Sequence, residues 1–477
     1  MKLLLTVFFL SFSLLSRSQG CNCLDDFYFI KAHIEKNHGG FNKKIKSPDE
    51  PAYKAFTLAL EKEIKKDKDG RYCIGYLKKY ILYLQDHHSN ITAGAEVNVN
   101  EADPAAVKAF LASPAYTQTE KIAIDTAGLE KRWSETPPAG PEGIYFTAGN
   151  SYVVAIVKNK TSRRDYAGVI LRSKSVLWSP GQVKFELKQV NDSLFDMYLS
   201  YKNHSLNYDQ IPFRKGKLEL NGWLKAGNSS KQTGEVKDNR LYSFNVLDST
   251  ATLLSIRSFD AGLTRTLDSF YAAIMPEIKK RPNLIIDVRD NSGGSDMSYK
   301  ALMPLIYTDP FDSDVMEYFV TPGNIEAYEK YDSLLLQRSP GSNPPFKSAV
   351  AMMKKADPFT FRNLGSGKPN KIQYTINKGY PLKIAVLYNR NCASSCESFL
   401  FEILNSSKTI RVGENSGGYT GYGNVMTIQT PCGNTLSWTT TVYKNQWQYE
   451  FVGIPPQHLV PDDVTNWVDY AKKLLVN

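Results

Sequence analysis

Two short segments limit the fold more than anything else in the chain. Leu284-Ile285-Ile286-Asp287-Val288 and Ile384-Ala385-Val386-Leu387-Tyr388 are apolar on almost every residue, so neither offers a polar face to water. A strand of this kind has to be covered on both sides, as in a sheet flanked by helices. The surrounding sequence agrees. Leu253-Leu254-Ser255-Ile256 reads as a strand and leads to a helical run through Phe270-Tyr271-Ala272-Ala273-Ile274. The second apolar strand feeds a helix that carries Phe399, Leu400, Ile403 and Leu404. Strands and helices therefore alternate from about residue 246 to the end, which indicates an α/β layer.

The rest of the chain has a different texture. Residues 21–140 show helical spacing, as in Tyr53 to Leu60 and Tyr76 to Leu84. Pro137-Pro138-Ala139-Gly140-Pro141 breaks that pattern. Residues 141–245 carry short strand signals such as Tyr152 to Val157, Gly168 to Leu171 and Val183 to Leu187, and read as a small antiparallel sandwich or barrel. Residues 1–20 begin Met1-Lys2, continue with an apolar run from Leu3 to Leu15 and end Ser18-Gln19-Gly20, the layout of a secretory signal peptide. That run is too short for a stable membrane span. Cys21 follows Gly20 directly, which leaves a lipid anchor open as an alternative, although Ser18 stands where a lipobox prefers Leu. The expected location is secreted or periplasmic, or the outer membrane if Cys21 is lipidated.

The net charge of +10 is spread along 477 residues without a basic block, so a nucleic-acid partner is not expected. Export puts the six cysteines, Cys21, Cys23, Cys73, Cys392, Cys396 and Cys432, where disulfides persist. The expected pairing joins Cys392 or Cys396 to Cys432, because an i, i+4 bridge between the first two would strain the turn they flank. No Cys-x-x-Cys pair faces a second ligand pair, so no metal is expected, and no cofactor is implied.

Four places bring reactive side chains together. Asn391-Cys392-Ala393-Ser394-Ser395-Cys396-Glu397 joins a buried strand to a helix, where free amide N–H groups face outward. A serine there can attack a carbonyl while the following amide meets the oxyanion, and the same residues also suit a plain N-cap. Asp287 to Gly294 ends a strand on two glycines, which permits close backbone approach to a ligand. Leu84-Gln85-Asp86-His87-His88-Ser89 offers a general base or a polar helix end, in a chain with six histidines. Glu450 lies in a Gly-Pro-rich stretch near the C-terminus. The loop Gly413 to Gly423 is rich in glycine but lacks the Gly-Lys-Ser/Thr ending of a phosphate cradle.

In this order the segments resemble the tail-specific (C-terminal-processing) serine peptidase family, including its tricorn-like branch. The family's Asp-x-Arg-x-Asn-x-Gly-Gly corresponds to Asp287–Gly294, and its serine-rich segment to Cys392–Glu397, with the nucleophile on Ser394. Val412-Gly413-Glu414 and Gly453-Ile454-Pro455-Pro456-Gln457 match later motifs, the last with Gln457 in place of the usual Asp. Leu84 to His88 matches a Leu-x-Asp-x-His element. The lysine of the Ser–Lys branch would fall near Tyr419, and no Lys lies between Arg411 and Tyr443. The resemblance therefore points to a Ser-His-Glu arrangement of Ser394, His88 and Glu450, with oxyanion donors on Ser395 and on Gly293 or Gly294. Which of His87 and His88 is the base stays open.

The fold implied is an α/β core of the Clp protease/crotonase-like type, residues 246–477, with an N-terminal helical region and an inserted all-β module. That module, residues 141–245, replaces the family's usual PDZ domain. The function implied is a secreted serine endopeptidase acting on protein or peptide substrates. Two alternatives keep the scaffold: an inactive peptide- or glycan-binding protein, and acyl chemistry of the crotonase type.

Overall fold

The computed structural model describes residues 22–476 apart from 46, 95–97, 137, 139, 215–216, 221, 227–239, 366–367 and 462. The signal peptide expected at 1–20 and the lipidation site expected at Cys21 lie outside the described residues.

Three long helices, with a one-turn helix at Phe41–Lys44 between the first two, open the described chain: α1 (Cys23–Asn37), α2 (Pro51–Lys66) and α3 (Cys73–Tyr83). Local chemistry starts the first two. Asn22 and Asp25 form a reciprocal capping box on α1. Pro51 begins α2, and the Glu50 carboxylate accepts from the Tyr53 amide. The helices bury Phe27, Tyr53, Tyr80 and Leu77 against one another. The Tyr53 and Tyr80 hydroxyls meet at 2.9 Å, so these two buried rings keep a polar partner. A disulfide joins Cys23 at the head of α1 to Cys73 at the head of α3.

Residues 143–225 form one eight-stranded antiparallel sheet, from Gly143–Thr147 to Trp223–Lys225, with the last strand returning to pair with the first. Its first seven strands follow one another as a meander, and the eighth lies beside the first. Its ties to the helices are both polar and apolar: Tyr72 donates to Glu186 and Lys78 to Asn207, while Tyr72 and Leu82 pack against Tyr198, Leu206 and Tyr208.

The α/β layer is a six-stranded sheet. Its strands are β1 (Tyr242–Val246), β2 (Ala251–Ile256), β3 (Asn283–Asp287), β4 (Lys383–Tyr388), β5 (Thr409–Gly413) and β6 (His458–Leu459), in that spatial order. Only β1 runs antiparallel to its neighbour. Both faces are covered, as the apolar strands require. Leu284, Ile286, Ile384 and Val386 pack under α4 (Thr264–Ile278) and α5 (Ser395–Ile403). Ile285, Ala385 and Leu387 pack under α6 (Trp467–Val476).

A second, five-stranded sheet is built around the hairpin that follows the glycine-rich loop. Strand Thr435–Tyr443 is paired there by Asn90–Thr92, Met316–Val320 and Tyr422–Gln429. Pairing of residues 90–92 with residues 435–437 fixes the end of the N-terminal region beside the C-terminal half. No helix among the described residues is long and apolar enough to cross a membrane.

Candidate active site

Parallel pairing of β3 with β4 puts the loops after both strands side by side. The first loop is held by its own side chains. The Asn291 Oδ1 accepts from the Gly293 amide, and its Nδ2 donates to the Ile256 carbonyl. At the end of β3, buried Asp287 is gripped by Arg257 and Arg289 at 2.8–3.1 Å. Asn389 and Asn391 of the second loop donate to the Asp290 carboxylate of the first. The Ala393 amide donates to the Asn291 carbonyl.

Ser394 sits at the sharp point of the second loop, with φ 55° and ψ −122°, just ahead of α5. A non-glycine residue at positive φ costs on the order of 1–3 kcal/mol, so its surroundings must impose it. Cys392 and Cys396 are disulfide-bonded across this turn and are fully buried. This corrects the expected bridge to Cys432, which is disulfide-bonded elsewhere. The turn accommodates the i, i+4 pair because helix α5 begins inside it, which brings the two Cα atoms to 5.4 Å.

His88 arrives from the other end of the chain. Helix α3 stops at Tyr83, Leu84 plugs the core, and Gln85 turns left-handed at φ 51°. The chain then runs through 86–89 into the strand Asn90–Thr92. The His88 Nε2 lies 3.3 Å from the Ser394 Oγ, across 306 residues of sequence. Burial lowers the imidazole pKa below its usual value, and the Asp86 carboxylate opposes that shift. His87 points away. Its ring is stacked between Tyr419 and Phe451 at 4.7 and 4.3 Å, and burial pushes its pKa down to about 4.

The carboxylates are arranged differently from the sequence expectation. Glu450 makes no hydrogen bond to the His88 ring, and His88 Nδ1 has no protein partner among the described residues. Glu450 accepts instead from the amides of Thr420 and Gly421 at 2.9 and 2.6 Å, and from that of His87 at 3.4 Å. Burial, reinforced by Asp86, pushes its pKa up to about 8. Asp86 is the carboxylate whose charge acts on His88. Its Oδ1 accepts from the His88 amide at 2.8 Å, and its Oδ2 meets His38, Ser89 and Thr439 at 2.7–2.8 Å. His38 accepts from the Gly40 amide through Nδ1, which leaves its Nε2 protonated toward Asp86 in the neutral ring. Burial alone would raise the Asp86 pKa, but His38, His88 and Ser89 hold it well below the usual carboxylate range.

Glu397 is a working residue to which the sequence reading gave no role. It is fully buried, and it accepts from the Ser394 amide, the Ser416 hydroxyl and the amides of Gly418 and Tyr419. Its signal was the Ser-x-x-Glu spacing of a capping box. The four consecutive amides 418–421 therefore face the protein's own Glu397 and Glu450, so the glycine-rich loop is no phosphate cradle.

Of the expected oxyanion donors, the Gly293 amide is already bonded to Asn291. The amides of Gly294 and Ser395 have no protein acceptor among the described hydrogen bonds. Both glycines are required by space. A Cβ on Gly293 would lie 2.5 Å from the Ala393 carbonyl oxygen, and one on Gly294 would lie 2.3 Å from that of Phe259. A cleft of about 630 Å³ opens over Ser394, His88, Gly294 and Ser395. Tyr419, near the position where a dyad lysine would stand, sets its ring edge-on to His88 at 5.3 Å. Among the described residues no group of side chains is arranged to hold a metal ion.

Residues 250–460 match the family model described as Peptidase family S41. That stretch is a serine-type peptidase domain, and its substrates are peptides or proteins. No curated protein matches the chain. Among solved structures, mature CPAF is 14% identical with a TM-score of 0.46, over 95% of this chain and 96% of that one. A putative peptidase from Parabacteroides merdae is 12% identical with a TM-score of 0.43, over 96% and 98%. The photosystem II D1 C-terminal processing protease is 12% identical with a TM-score of 0.38, over 95% and 97%.

Proposed function

We propose that this protein is an exported serine endopeptidase in which Ser394 is the nucleophile and His88 the general base. The observation that carries the reading is the strained Ser394 at the head of α5 with the His88 Nε2 3.3 Å from its hydroxyl. Ser394 attacks the scissile carbonyl, and His88 takes the hydroxyl proton and returns it to the leaving amine. The Gly294 and Ser395 amides receive the oxyanion, and losing one such donor costs on the order of 10²–10³ in rate. Asp86 keeps His88 basic. Asp86 also stabilises the imidazolium, and Glu450 holds the neighbouring His87 amide and so the position of the histidine segment. No Lys lies between Arg411 and Tyr443, which favours the tricorn-like arrangement over a Ser–Lys dyad. The disulfides fit an extracytoplasmic location, as does the N-terminal sequence.

The test is labelling with a fluorophosphonate probe of the wild type, Ser394→Ala and His88→Ala. Label on the wild type and on neither variant supports the pair. A folded wild type that stays unlabelled removes the mechanism and leaves a peptide-binding protein on this scaffold.

A further inference from the structure

The cleft has an unusual charge pattern. The chain as a whole is positive by ten charges, yet no lysine or arginine is among the described residues lining the cleft. Its one formally charged side chain is Asp296. This aspartate stands two residues beyond Gly294, whose amide faces the expected oxyanion, and its neighbours Ser395 and Ser398 come from the first turn of α5. Asp296 therefore lines the same cleft as Ser394, His88, Gly294 and Ser395.

Burial raises the Asp296 pKa, and the Lys300 charge opposes that shift only in part. Lys300, the cation whose charge acts on Asp296, is already ion-paired to Glu402 and bonded to the Tyr374 hydroxyl. The three charges Asp296, Lys300 and Glu402 sum to −1. Asp296 is solvent-exposed, yet it lies inside a concavity. The Tyr443 ring lines the same cleft. A carboxylate and an aromatic ring in one cleft without cations suit an ammonium or guanidinium group.

We infer that Asp296 selects substrates with a lysine or arginine beside the scissile bond by pairing with that side chain in the cleft. An acidic side chain at the same place is repelled, so the preference has an attractive and a repulsive part. The inference rests on the peptidase reading, but the cation site can be tested without turnover.

The experiment compares quenched peptides that differ at one position from P2 to P2′, carrying lysine, its uncharged near-isostere norleucine, or glutamate. The readout is the ratio of kcat/KM values, which cancels general losses in a variant. At one position flanking the bond, wild type should favour lysine over norleucine by about tenfold, the scale of a well-placed ion pair. Asp296→Asn should bring the ratio close to one, and Asp296→Lys should turn the preference toward glutamate. A wild-type ratio within twofold at every position, or one unchanged in Asp296→Asn, overturns the inference. The same peptides are titrated against Ser394→Ala, and against Ser394→Ala with Asp296→Asn, by fluorescence anisotropy. If no peptide is cleaved and no probe reacts, the peptidase reading has failed. Tighter lysine binding that disappears in the double variant then still supports the cation site, and equal binding of lysine and norleucine overturns it.

Discussion

Asp86 uses its two oxygens for different ends. One fixes the His88 backbone, and the other closes a buried cluster with His38, Ser89 and Thr439. Its charge also raises the His88 pKa against the effect of burial. This sets a direction for the pH profile. A general base must be neutral, so kcat/KM falls as pH drops through the His88 pKa, which burial puts below its usual 6.5. Asp86→Asn removes the opposing charge, so the acid limb should move to lower pH while the plateau drops. An unmoved limb would leave Asp86 a purely structural role. Burial raises the Glu450 pKa to about 8, so this residue acts through the backbone amides it accepts from, and Glu450→Ala should lower kcat and kcat/KM together with the acid limb in place. A rise in KM alone would instead place Glu450 in substrate binding. The candidates Ser394, His88 and Glu450 could be named from the sequence because each stood in a short motif. That Asp86, and not Glu450, touches His88 depends on where the 418–421 loop folds.

At the scale of elements, one buried carboxylate holds the turn before α5 to the glycine-rich loop. Glu397 ties the Ser394 amide to Ser416, Gly418 and Tyr419, and Glu450 takes the next two amides. Removing Glu397 leaves several buried donors without acceptors, at roughly 1–3 kcal/mol each. Glu397→Ala should therefore lose about 3 kcal/mol or more in chemical denaturation, and the surviving folded protein should react slowly with the fluorophosphonate probe. Full stability in this variant would mean that the loop is held by its other contacts. The strand-helix alternation was legible because burial on both faces leaves an apolar signature in β3 and β4. The sheet around Thr435–Tyr443 was not, since its partners come from residues 90–92 and 316–320 and carry only ordinary polar and apolar alternation.

At the scale of the molecule, the scarce histidines are mostly built in as neutral groups. Burial pushes His33, His87 and His204 each to about 4 from an unperturbed 6.5. Below 6.5 the unfolded chain takes up protons that the folded chain refuses until about pH 4. Stability contributed by these neutral rings is therefore full above 6.5 and is lost as pH falls toward 4. Thermal melts at pH 7.5, 6, 5 and 4 should show Tm dropping across that window. A flat Tm would mean that the rings accept protons in the folded state.

The sequence by itself determined the covered parallel sheet, the helical start, the β-rich middle and the motif that holds Ser394. Each is written in local periodicity or in a short contiguous motif, where neighbours along the chain are neighbours in space. Only the tertiary structure decided which histidine meets Ser394, which carboxylate acts on it, which glycine amide is free and which cysteines pair. Those outcomes join residues up to 306 positions apart, or turn on how one loop's amides divide between two buried carboxylates. No local pattern carries such information, because it is fixed by the competition among all buried polar groups for a limited set of partners.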